Sequence, residues 1–237
     1  MIRLLVTNGC SCTRGEELPD PGTQAWPVVL GNVLGVPHVN LARDGSSNRR
    51  IVRSTVARVD GVRSEHLVRP DEVLVLLAWT QSSRYEYYSA RERPEQRTGP
   101  ADHPVDGNWQ RIGPWRQDAG HRPSVAFYDY LWSDEGQLTS LFLDWLLLDG
   151  FLRDQGYQGR YAFAFPVAPD IPAPAWQFAR LLDGDTVWGG LPPSHGKSFL
   201  EMPEGMARGP GGHPLAQAHE WFALSLAQWL RSAVALG

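Results

Sequence analysis

Residues Glu72 to Trp79 read Glu-Val-Leu-Val-Leu-Leu-Ala-Trp, a nearly continuous apolar run with no polar residue after its first position. A strand with one wet face alternates apolar and polar residues, whereas an unbroken run fits a strand covered on both faces inside a parallel sheet. Arg69-Pro70-Asp71 interrupts the chain just before the run. Parallel neighbours need long crossover connections, usually helical, so this one segment asks for helices on both sides of a sheet.

The rest of the chain supplies them. Ile2 to Val6 is a shorter apolar run that stops at the turn residues Thr7-Asn8-Gly9. Thr23 to Leu34 is predicted helical, with Trp26, Val29, Leu30, Val33 and Leu34 on one face and Gly35 as its stop. Val36 to Leu41 reads as a second strand. After a small and polar loop, Ala42 to Asn48, the spacing of Ile51, Val52, Val56 and Val59 predicts a second helix. Leu138, Leu141, Phe142, Trp145 and Leu148 predict another, starting at Ser133 or Asp134 and stopping at Gly156. Arg160 to Phe165 and Asp185 to Trp188 read as fourth and fifth strands. A final helix covers Leu215 to Leu236, with Trp221, Phe222, Leu226, Trp229 and Leu230 inward. Alternating strands and helices define a doubly wound α/β protein with a mostly parallel, five-stranded sheet. Ligands in such sheets gather beyond the carboxyl ends of the strands.

Regular patterning fails from Arg91 to Ser133, where five prolines alternate with Trp109, Trp115, Phe127, Tyr128, Tyr130 and Trp132. The aromatic content predicts an ordered insertion, either a satellite core or a lid that walls a substrate site. The 237 residues are expected to form a single domain, 1–237. With 42% hydrophobic and 20% charged residues the chain is not of the disordered type, and a net charge of -4 gives no footprint for nucleic acid. The only Lys is Lys197 against 21 Arg, which reads first as the coding bias of a GC-rich bacterial genome. Cys10 and Cys12 are too few for a disulfide framework, and no later partners complete a zinc site. No run approaches a membrane span and the N-terminus turns polar too early for a signal peptide, so no membrane contact and a cytoplasmic location are expected.

Four segments carry chemical meaning together. The turn after the first strand, Gly9-Cys10-Ser11-Cys12, resembles the nucleophile block of the SGNH (GDSL-like) hydrolases, with Cys10 where the commonest motif has Asp. Asn40 to Asn48 resembles the second block, whose glycine, here Gly45, aims a backbone N–H into the oxyanion hole. Ala78-Trp79-Thr80 stands at the third block, with Thr80 in the place of the usual Asn. His213-Pro214 resembles the last block, with Pro210 where the family has Asp. Gly9-Cys10-Ser11, Gly45-Ser46-Ser47-Asn48 and Trp79-Thr80 followed by Arg84 resemble a bacterial subgroup of this family. The resemblance implies a flavodoxin-like three-layer sandwich and an esterase or acyltransferase acting on a small-molecule ester without cofactor or metal. It further implies Ser11 and His213 as catalytic residues and Ser11, Gly45 and Thr80 as the oxyanion hole. Arg84, Asn48 and Trp79 become the candidate substrate contacts.

The residue types fit that chemistry on their own terms. A serine hydroxyl is a weak nucleophile until a histidine within hydrogen-bond reach takes its proton, and the tetrahedral intermediate needs donors aimed at its oxyanion. With Pro210 in the Asp position, His213 must use a carbonyl, a water, Glu204 or Asp44, or act in a dyad. Plainer roles stand beside these. Ser11 fits a structural turn, His213 a helix cap, His219 a packing position, and the two cysteines buried filler. Arg84 has the chemistry to clamp an anionic substrate or to pair with Asp44 or Glu86. Asp102, His103, Asp118 and His121 are of metal-ligating type without a second cluster, and Gly209 to Gly212 lacks the residues of a phosphate loop. A catalytically degenerate member that binds a small molecule or partner is the alternative function.

Overall fold

The structure, a computed structural model, describes residues 1–90, 106–167, 170–191 and 197–233. In chain order it runs β1 (Leu4–Asn8), the single helical turn α1 (Ser11–Arg14), α2 (Pro21–Gln24), α3 (Trp26–Leu34), β2 (His38–Asn40) and α4 (Asn48–Glu65). Then come β3 (Val73–Trp79), β4 (Tyr85–Tyr88), β5 (Trp109–Ile112), α5 (Pro114–Asp118), α6 (Arg122–Tyr130) and α7 (Asp134–Asp154). β6 (Gln158–Phe163), α8 (Ala173–Ala179) and α9 (Ala216–Ala233) complete the order.

The main sheet has the order β2-β1-β3-β6, every pair parallel. Its two faces explain the unbroken apolar run. Val73, Val75, Leu77 and Trp79 of β3 join Leu4 and Val6 of β1 in one core under α4, α7 and α8. Leu74, Leu76 and Ala78 join Leu5 in the other, under α3 and α9. Successive side chains of a strand point to opposite faces, so a strand buried on both sides has no place for a polar residue. The result is the expected three-layer sandwich.

Three differences from the sequence reading have local causes. The helix predicted from Thr23 is split at Ala25, which is extended (φ -64°, ψ 140°). Pro27 has no N–H to donate back along a continuous helix, so α3 starts afresh, and the buried N–H of Trp26, which has no partner within the helix, donates to Nδ1 of His219 on α9 at 3.0 Å. The fifth strand shrinks to two single-residue parallel bridges, Val187 to Tyr161 and Ser198 to Phe163. Gly189 and Gly190, both at positive φ, turn the chain away immediately after Val187-Trp188. The described part of the insertion is regular: β5 pairs antiparallel with β4, which precedes the insertion, and α5 and α6 follow. It and β4 are tied to α4 by buried ion pairs, Arg50 to Asp106 at 2.9 and 2.8 Å and Arg53 to Glu86 at 2.8 Å. Elsewhere the end signals match: Ser133 caps α7 by accepting from Gly136 N–H, and Gly156 follows it at φ +81°. No helix among the described residues is long and apolar enough to cross a membrane.

Candidate active site

β1, at the centre of the sheet, delivers the nucleophile turn at the point where the strand order reverses, the place where such sheets open a crevice. Asn8 anchors the strand end, its side chain donating to Ile51 O, Ser54 Oγ and Thr55 Oγ1 of α4 and accepting from Gly9 N–H. Gly9 has no room for a side chain, because a Cβ there would collide with Thr13 Oγ1 and Cβ. The Cys10 carbonyl then accepts from Thr13 and Arg14, winding the turn of α1. Ser11 occupies its first position, where a helical N–H has no partner within the helix.

Ser11 Oγ lies 3.0 Å from His213 Nε2, on the loop before α9. His213 Nδ1 lies 2.9 Å from Glu17 Oε2. An ionised carboxylate only accepts, so Nδ1 carries the ring proton and Nε2 is left to accept from the serine. Glu17 is further held by the N–H groups of Gly211 (2.6 Å) and His213 (3.1 Å). These donors, Gly211 first, hold its carboxyl below the usual glutamate value against the opposing effect of partial burial.

The third member of the relay was absent from the sequence candidates. Asp44 instead pairs with Arg14, and Glu204 is exposed. Two signals for Glu17 exist in hindsight. It has a positive φ of 66°, which no sequence pattern reveals, and it faces a glycine-rich loop that is visible in the sequence. A Cβ on Gly209 would meet Glu17 Cδ at 2.7 Å, so this glycine makes room for the carboxylate.

Ser11, His213 and Gly45 line a cavity of about 430 Å³ together with Gln81, Arg84 and Trp115. Gly45 is at φ +64°, and its turn is held from both sides by the Arg14–Asp44 pair and by Arg111 Nη1 donating to Asp44 O at 2.9 Å. Three expected site residues do not line this cavity. Trp79 is wholly buried in the core against Trp145 (5.3 Å) and Tyr161 (6.0 Å), because the last position of β3 faces α7. Asn48 acts on backbone: its Oδ1 accepts from Thr80 N–H at 2.8 Å and its Nδ2 donates to Thr80 O at 3.0 Å. Thr80, so clamped, is buried with its hydroxyl against the Cys10 thiol, and the next residue, Gln81, reaches the cavity instead.

The cysteines flank the nucleophile but are buried. The Cys12 thiol and, after it, the Arg84 charge and Thr80 draw Cys10 down against burial, while Cys12 is pushed well up by the same hydrogen bond and by burial. His213 touches Ser11, not either thiol. Of the insertion aromatics, Trp115 walls the cavity. Trp109 lies under Arg53, and Tyr128 donates to Ser83 O within a cluster with Phe127 and Trp132. His121 caps α6, accepting from Ser124 N–H, and no group of three metal-ligating side chains occurs among the described residues. Asp102 and His103 lie outside them.

Sheet order, layers and the serine at the switch point define the class: the protein has the SGNH-hydrolase fold. The chain belongs to a family of unknown function, DUF6071, whose model matches residues 18–236. No curated protein matches it. Among solved structures it is similar to TesA, at 15% identity and a TM-score of 0.52 over 98% of this chain and 100% of that one. A carbohydrate esterase family 2 enzyme with a carbohydrate-binding domain, from Corynascus thermopiles (Myceliophthora fergusii), is 14% identical with a TM-score of 0.51, over 98% of this chain and 66% of that one. The esterase EstA from Pseudoalteromonas sp. is 10% identical with a TM-score of 0.50, over 97% of each chain. At such identities the likeness is one of fold.

Proposed function

We propose that this protein is a serine-dependent esterase or acyltransferase acting on a small-molecule ester through Ser11, His213 and Glu17. The observation that carries the reading is the continuous relay from Ser11 Oγ through both ring nitrogens of His213 to Glu17, at 3.0 and 2.9 Å, on the wall of an open cavity. Ser11 Oγ attacks the ester carbonyl as His213 Nε2 takes its proton, and Glu17 stabilises the resulting imidazolium. The Ser11 and Gly45 N–H groups, with the Gln81 amide, are the donors for the oxyanion. The intermediate collapses as His213 returns the proton to the departing alkoxide, leaving an acyl-serine. Water, or an acceptor hydroxyl in the transferase variant, then attacks by the reverse proton path.

The rival reading, a degenerate member that only binds, drew its weight from the missing Asp and Asn. Glu17 supplies the acid that Pro210 does not, and Gln81 offers an amide one residue beyond Thr80. Labelling with a fluorophosphonate probe followed by peptide mapping tests the proposal. Modification of Ser11, abolished by Ser11→Ala, is expected. Folded protein that takes up no probe, or takes it up elsewhere, rules the hydrolase reading out.

A further inference from the structure

Among the described residues Arg84, on the wall of the cavity that holds the nucleophile, forms no ion pair with a carboxylate, and its charge acts on the neighbouring Cys10 thiol. Its guanidinium carbon lies 5.2 Å from the Trp115 ring centroid and 5.0 Å from that of Phe165, so both rings contact it. Within the described residues its one hydrogen bond runs from Nε to Gln81 Oε1 at 3.3 Å, and Nη1 is buried with no partner. The two acids that sequence reasoning offered it are engaged elsewhere. Asp44 takes Arg14, and Glu86 takes both Nε and Nη2 of Arg53 at 2.8 Å. Leaving a partly buried charge uncompensated is costly, and a guanidinium flanked by rings offers its edge as a fork matched to an oxyanion.

We propose that the substrate of this site is an ester bearing a carboxylate, which the Arg84 guanidinium holds while Ser11 attacks the ester carbonyl. This rests on the hydrolase reading above and narrows its substrate class. A carboxylate is favoured over a phosphate monoester because, among the described residues, the cavity wall carries two acids, Glu16 and Asp44, and its second guanidinium, Arg111, already donates to backbone. Arg111 is bound to Asp44 O, and Arg14 is shared by Asp44 and Glu16, whose carboxylates stand on the cavity wall. Those two acids repel a double charge more than a single one.

The test compares kcat/KM on charged and neutral esters of matched shape. 4-Nitrophenyl hemisuccinate against 4-nitrophenyl 4-methylpentanoate places the charge on the acyl side, and 4-acetoxybenzoate against 4-isopropylphenyl acetate places it on the alcohol side. In at least one pair the wild type is expected to favour the anion by about 10- to 100-fold, the range for a charged hydrogen bond made in the site. Arg84→Met should remove that preference, read as the anion-to-neutral ratio of kcat/KM within each pair, while Arg84→Lys restores part of it. Should Arg84→Met not fold, Arg84→Gln and competitive inhibition of the wild type by succinate or benzoate carry the same test. Hydrolysis of neutral esters with no anion preference in either pair overturns this inference and leaves the hydrolase reading standing. So does a preference for a phosphate-bearing ester, 4-acetoxyphenyl phosphate. Absence of both hydrolysis and Ser11 labelling removes the hydrolase reading, and this inference with it.

Discussion

Glu17 Oε2 stands 2.9 Å from His213 Nδ1 although 196 positions separate the two residues. The contact joins the nucleophile segment to the loop before α9, so the serine and its base are supported by one carboxylate. Glu17→Gln keeps the shape but places an amide against Nδ1, which no longer fixes the productive tautomer. Turnover on an activated ester should fall by about 10²- to 10⁴-fold in Glu17→Gln or Glu17→Ala, with Ser11 still present and the fold intact. Steady-state kinetics beside circular dichroism decides. A folded variant within a few-fold of wild type would show that His213 works without this acid.

Gly209 gives a separate handle on the same carboxylate. An added methyl at this position meets Glu17 Cδ and Oε2 at 2.7 Å and Cβ at 2.9 Å, so the whole Glu17 side chain has to shift. Gly209→Ala should therefore displace the carboxylate. We expect turnover of the folded protein to drop by about tenfold or more. Equal activity would mean that the loop shifts and carries Glu17 with it.

Much of this arrangement was legible beforehand, and the remainder has identifiable reasons. Unbroken apolar runs exposed the central strands because burial on both faces forbids polar residues there. Ser11, Gly45 and His213 follow strand ends or precede a helix, where chain punctuation is visible. Glu17 was not legible, since its role depends on a left-handed backbone and on a partner 196 residues away. Trp79 was misplaced because the last position of β3 faces α7, and Thr80 because Asn48 clamps both its backbone groups beside Cys10, so that the cavity falls to Gln81. Pro210 in the place of the family Asp leaves no gap at the imidazole, because Glu17 already stands beside Nδ1.

Thr80 and Gln81 can be separated directly. Thr80→Val deletes a hydroxyl that does not line the cavity, so turnover should stay within about twofold. Gln81→Ala removes the one side-chain amide on the cavity wall at this strand end and should cost about 10- to 100-fold in kcat, the lower range for a lost oxyanion donor. The opposite ranking would return the oxyanion role to Thr80. A change in KM alone for Gln81→Ala would assign it to binding through Arg84.

His219 makes stability depend on pH through a contact far from any substrate. The ring is wholly buried on α9, edge-on to Phe199, and its Nδ1 accepts the Trp26 N–H that opens α3. Burial pushes its pKa from 6.5 down to about 4, with the Pro214 carbonyl opposing and the charge of His213 adding to the fall. The unfolded chain therefore binds a proton before the folded one does as pH drops. Stability from this group is fully present above about pH 6.5 and is lost progressively toward pH 4, roughly 3 kcal/mol for a shift of that size. His38, also lowered by burial, acts in the same direction, so His38→Gln is the reference background. In that background, His219→Gln keeps an acceptor for Trp26 and has nothing to titrate. Urea midpoints measured at pH 7.5 and pH 5 should fall markedly for the reference and much less for the double variant. Equal acid loss in both would place the titrating group elsewhere and leave His219 a structural acceptor only.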